Sequence, residues 1–101
     1  MGATVTRAAG GCDERAVLDA LARERLRPSR WSNGAHDTYA QHSHGYHKVL
    51  YCLAGSIVFQ LAESGEELEL RPGDRLEIAP GTSHAAVVGP EGVACVEAPR
   101  A

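Results

Sequence analysis

Apolar positions early in the chain recur at helical spacing: Val17, Leu18, Leu21 and Ala22 form one stripe, with Asp19, Arg23 and Glu24 elsewhere on the surface. The pattern predicts a helix over residues 13–26, with Asp13 as N-cap and Pro28 as the stop. An apolar stripe must cover something, so this is an amphipathic helix laid on the outside of a larger body. After Pro28 the period becomes strand-like. Strands are predicted over 30–32, 36–42, 47–53, 56–61, 66–70, 75–79, 84–88 and 93–97. Turns are expected at Asn33-Gly34, Ala54-Gly55, Ser64-Gly65, Pro72-Gly73, Pro80-Gly81 and Gly89-Pro90-Glu91-Gly92. Turn signals every 8 to 12 residues or so are the rhythm of a sandwich or barrel.

No repeat, low-complexity tract or linker divides the chain. Residues 1–28 are therefore read as a terminal tail and helix packed on a barrel of residues 29–101. Strands in such number leave exposed edges unless the sheet closes or pairs with a second copy, so a closed barrel or a homodimer is expected. At 101 residues there is room for a single core, and 44% hydrophobic with 23% charged residues is a globular composition. The net charge is −3 and the basic residues are scattered, which argues against a nucleic-acid partner. No apolar run approaches the roughly 20 residues of a membrane helix, and the first residues lack a signal peptide's apolar core, so no membrane partner and a cytoplasmic location are expected. Residues 1–6 fit a myristoylation pattern without supporting context and are read as a frayed terminus.

Candidate chemistry concentrates in His42-Ser43-His44-Gly45-Tyr46-His47-Lys48 and in a later His84 that follows Pro80-Gly81. Alternation along a strand puts His42 and His44 on one face, and a third imidazole from a later strand completes a half-shell for a transition metal. The competing interpretation is three polar residues at a barrel mouth, satisfied by water and backbone. His47 alternates away from Lys48, and His36 is expected at the surface. Tyr39, Tyr51, Trp31 and Phe59 are core or rim material, and Tyr46 stands out because it lies between His44 and Lys48. Cys12, Cys52 and Cys95 lack zinc-knuckle spacing and the even count of a disulfide framework; Cys52 and Cys95 sit in apolar strand patterns, as small buried hydrophobes do. A thiol beside the metal would require the matching strand face. Hydrolase, nucleotide-binding and thioredoxin-like motifs are missing from the sequence.

These residues resemble the two motifs of the cupin superfamily. His42, His44 and Gly55 fall in place for the first motif, and Gly73, Gly81 and His84 for the second. The departures are a displaced leading glycine, Ala79-Pro80 at the expected proline, Val88 at the final asparagine, and Lys48 where the motif has its glutamate. The resemblance covers roughly Trp31 to Glu97. It implies an all-β double-stranded β-helix, a jelly-roll-like barrel with one N-terminal amphipathic helix. It also implies a divalent transition metal, such as Zn, Ni, Fe, Mn or Cu, with His42, His44 and His84 as its ligands.

Lys48 complicates that implication. An ammonium has no lone pair, and at about 4 Å from a dication it is repelled by roughly 8 kcal/mol at an effective dielectric of 20. That approaches the apparent worth of a good zinc site, on the order of 10 to 16 kcal/mol. Three resolutions are open. Lys48 is neutralised by a carboxylate, with Glu77 favoured; or Glu77 itself reaches the ion and Lys48 stands behind it as a donor; or the barrel is metal-free and Lys48 meets a small anionic ligand. The first two give a metal-binding barrel with a small-molecule ligand and unknown catalytic residues, and the third gives a binding or sensing module.

Overall fold

The structure is a computed structural model and describes residues 2–100. Met1 and Ala101, the outer ends of the two expected segments, lie outside the described residues. In chain order the elements are β1 (Ala3–Thr6), α1 (Glu14–Arg23), β2 (Ser29–Asn33), β3 (Thr38–His42), β4 (His47–Leu61), β5 (Glu67–Leu70), β6 (Arg75–Ile78) and β7 (His84–Arg100). All strand pairs are antiparallel. The architecture is the expected double-stranded β-helix, built around two long strands that serve both of its layers. The first half of β4 pairs with β6 and with the last half of β7; its second half pairs with β5 and with the first half of β7. β1 extends the first layer beyond β6 and β2 extends it beyond β7, while β3 closes the other layer on β7.

The turns expected at Ala54-Gly55 and Gly89-Pro90-Glu91-Gly92 are instead bends within continuous strands. Register shifts interrupt the β4–β7 ladder between Cys52 and Ala54 and again between Gly55 and Ile57. A bulge adds a residue and so exchanges the faces of everything beyond it. Lys48, Leu50 and Cys52 face the interior before the bend, and Ile57, Phe59 and Leu61 do so after it. β7 makes the same exchange: His84, Ala86 and Val88 point inward on one side, then Val93, Cys95 and Glu97 on the other.

The first residues are not the frayed tail expected from sequence. Ala3–Thr6 form a strand on β6, from Ala3 opposite Ile78 to Thr6 opposite Arg75. Val5 and Ala3 pack against the core, and the alternating β-branched run Thr4-Val5-Thr6 is the signal that was present. Buried Asp74 fastens the following residues by accepting from Ala8 N at 3.0 Å and Arg7 Nη1 at 2.8 Å.

Asp13 caps the helix as predicted, accepting from Arg15 N at 3.0 Å. The helix stops at Arg23, earlier than Pro28 requires, with Arg25 in the left-handed region at φ 60°. Val17 and Leu21 cover the outer face of the first layer at Val49, Leu53 and Val96, whereas Leu18 is exposed. Glu24 fastens the end of the helix to Arg75 and Arg100. Those bonds, Arg75 first, hold the Glu24 carboxyl down at about 2 against an ordinary 4.5. A depressed native pKa gives stability that is complete above the unfolded value and lost as pH falls through the folded one. Thermal unfolding followed between pH 4.5 and about 2 should therefore show a steep loss that is flatter in Glu24→Gln. Equal slopes would show that this clamp contributes nothing.

Candidate metal centre

The β3–β7 ladder sets His42 directly opposite His84, so their side chains rise from neighbouring positions on one face. Their ring centroids are 4.5 Å apart. His44 lies just past the end of β3, where its carbonyl accepts from Gly81 N at 2.8 Å. That bond ties the histidine loop to the Ala79-Pro80-Gly81 turn and brings the third ring to 4.8 Å from His42 and 5.5 Å from His84. A donor atom from each residue lies within 4.8 Å of the others.

Backbone carbonyls fix the orientation of two rings. His42 Nδ1 is 2.7 Å from Ala40 O and His84 Nδ1 is 2.9 Å from Thr82 O, so each Nδ1–H donates outward and each Nε2 carries the free lone pair. His84 is only 1% exposed, and among the described residues neither its Nε2 nor the equally buried Nε2 of His44 has a hydrogen-bond partner. Burial lowers the pKa of both His44 and His84 below the ordinary 6.5; Lys48, His42 and His84 add to the effect at His44. Neutral imidazoles with free Nε2 lone pairs are what a borderline transition metal takes as ligands.

The rings open onto a cavity of about 270 Å³ inside the barrel mouth. Its other polar lining comes from Lys48 and Glu97, and its apolar walls include Trp31, Tyr39, Ile57 and Phe59. Lys48 is 8% exposed and its Nζ sits 3.4 Å from Glu97 Oε1, which also accepts from Trp31 Nε1 at 2.7 Å. Leu50 stands directly opposite Glu97, so Lys48 and Glu97 are diagonal neighbours on the inner face.

The expected pairing of Lys48 with Glu77 is therefore corrected. Glu77 lies opposite Val49, on the outer face beneath the helix, between the buried Leu76 and Ile78 that point inward. There it binds His47 Nε2 at 2.9 Å and Arg75 Nε at 3.2 Å, and it reaches neither the cavity nor the three histidines. His47 faces outward, as its strand parity predicts. His36 is exposed in a turn at φ 64°. Tyr46 lays its ring on His44 at 5.0 Å instead of lining the cavity. Cys52 and Cys95 are buried in the core, opposite one another and away from the cavity lining.

Sequence reasoning missed Glu97 and the indole that holds it. Glu97 is a lone carboxylate continuing the inward series Val93, Cys95, a signal readable only once the bend in β7 has set the parity.

The sequence family described as Cupin domain matches residues 30–96. Among curated proteins, none matches. Solved structures share the fold. A DUF861-family protein from Thermotoga maritima superposes at TM-score 0.65 with 15% identity, covering 94% of this chain and 96% of its own. An RmlC-like cupin from Shewanella frigidimarina gives 0.63 at 22% identity, over 73% of this chain and 64% of that one. The polyketide cyclase RemF from Streptomyces resistomycificus gives 0.66 at 25% identity, over 73% and 54%.

Proposed function

The chain belongs to the cupin-domain family, and from that premise we propose that its barrel mouth holds one divalent transition metal on His42, His44 and His84 and receives a small molecule in the adjoining cavity. The observation that carries this reading is the pair of buried, unpartnered Nε2 atoms on His44 and His84. A buried acceptor without a partner costs free energy, and a metal bond relieves two such atoms at once. Three protein donors leave coordination positions free for water or a ligand oxygen. When bound there, the ion supplies a Lewis acid that polarises the ligand. The chain's own residues shape what reaches it: Trp31 and Phe59 give the cavity an apolar wall, and Tyr46 covers His44 from outside.

Glu97 supports the metal reading over a metal-free anion site. Paired with Lys48 at 3.4 Å, it turns an isolated positive charge into a local dipole, so the roughly 8 kcal/mol of repulsion expected from an uncompensated ammonium largely cancels. RemF, a polyketide cyclase, lends support to the cavity as a place where an organic ligand is held. Elemental analysis of protein purified without chelator tests the proposal. About one transition-metal ion per chain is expected, and metal-free protein that takes none up on addition of Zn, Ni, Fe, Mn or Cu would overturn it.

A further inference from the structure

Resting on that metal reading, we propose that the cavity selects a small organic anion, a carboxylate or enolate on a flat apolar body, and that Lys48 is the residue that sets this preference. The charge balance points this way. Lys48 and Glu97 are the ionised side chains of the cavity lining, and together they sum to zero. The three donors are neutral imidazoles, so a dication adds its full charge to a half-closed site. A glutamate at position 48 would have removed part of that charge; Lys48 removes none. A ligand that brings negative charge compensates what the protein does not.

Lys48 also has hydrogen-bonding capacity to spare. An ammonium carries three N–H donors, and Glu97 engages it at a long 3.4 Å while holding a shorter 2.7 Å bond to Trp31. The carboxylate thus keeps the lysine chain in the wall without saturating its head group. Lys48 is the only lysine in a chain whose other basic residues are arginines. A compact ammonium on an apolar stem suits a single anionic oxygen in a narrow cavity better than a planar guanidinium does.

The apolar side of the cavity defines the rest of the ligand. Trp31 and Tyr39 meet edge to face at 5.8 Å, and the Phe59 ring lies 6.1 Å from that of His84 along the same wall. Such walls accept a flat ring or short chain by aromatic contact. The 270 Å³ or so of space is below the usual range for drug-sized ligands, which limits the occupant to a small molecule.

Benzoate and benzamide have nearly the same shape and differ in charge, which makes them suitable probes. Both are titrated calorimetrically into zinc-loaded native protein and into a Lys48→Met, Glu97→Gln double variant, which removes both charges and strands neither. Native protein is expected to bind benzoate about tenfold or more tighter than benzamide, the ratio a charge-assisted hydrogen bond supplies. The double variant should keep its zinc, and with it the charge that draws any anion, but lose the severalfold share of that ratio that donation from the Lys48 ammonium supplies. Equal affinities in the native protein, or a ratio unchanged in the variant, would overturn the proposal. Zinc uptake is read separately. A protein that takes no zinc yet prefers benzoate overturns the metal reading and supports the anion preference, whereas one that takes zinc and shows no preference overturns the anion preference alone.

Discussion

A His42→Ala, His44→Ala double variant is expected to emerge from purification without transition metal while retaining the native strand content. The size of the effect follows from the donor count. A site worth on the order of 10 to 16 kcal/mol over a complete set of four ligands assigns roughly 2.5 to 4 kcal/mol to each donor, or about two to three decades in affinity. Removing two of three donors takes a retained metal to one that is lost on a column. The fold should survive, because His42 and His44 are half-buried at the cavity mouth and neither belongs to the core. His84 makes a poorer probe alone. It is buried beside Phe59, and truncation there opens a cavity in the barrel as well as deleting a ligand. Metal content by elemental analysis, with circular dichroism as the fold control, reads the result. Metal retained in the double variant would remove these two residues from the site.

Much of the centre was legible in the chain because it depends on local spacing. His42 and His44 could be assigned to one face from their separation, and His84 followed from the turn that precedes it; the structure joins them through the His42–His84 register and the Gly81–His44 bond. The helix, its cap and most strand positions were legible for the same reason. What escaped depended on long-range geometry. The parity of β7 beyond Val88 is set by a bend, so nothing local announced that Glu97, and not Glu77, would share the interior with Lys48. Glu77 could have been placed outside from its neighbours alone, since Leu76 and Ile78 flank it as inward residues. β1 was lost for another reason. Its one local signal, the β-branched run Thr4-Val5-Thr6, is too short to stand out, and the strand is held largely by its pairing with β6 and by Asp74, which fastens Arg7 and Ala8 just beyond it.

The bend itself yields the largest stability effect. Gly55 sits at φ 72°, and a Cβ there would stand 1.9 Å from Gly92 O and 2.8 Å from Gly92 C. The obstruction is backbone, so no side-chain rotation relieves it, and Gly92 is itself in the left-handed region at φ 80°. Gly55→Ala therefore combines two costs: roughly 1 to 2 kcal/mol for a left-handed non-glycine residue, and the displacement of one long strand from the other. A total of about 3 to 5 kcal/mol is expected, a large part of the roughly 5 to 15 kcal/mol that holds a domain together. For a domain of this size that lowers Tm by roughly 15 to 30 °C. Gly65→Ala isolates the collision, because Gly65 shares the conformation at φ 73° but, among the described residues, no atom lies within 4 Å of where its Cβ would stand. It should lose only the first of the two costs. Equal destabilisation at the two positions would mean that the close crossing of β4 and β7 is not what fixes the bend. The bend matters to the site because it folds Ile57 and Phe59 over Leu50 and carries His84 to the cavity that Lys48 and Glu97 line from the other halves of the same two strands. Metal affinity measured on whatever Gly55→Ala remains folded should therefore fall along with its stability, whereas Gly65→Ala should bind metal as the native protein does.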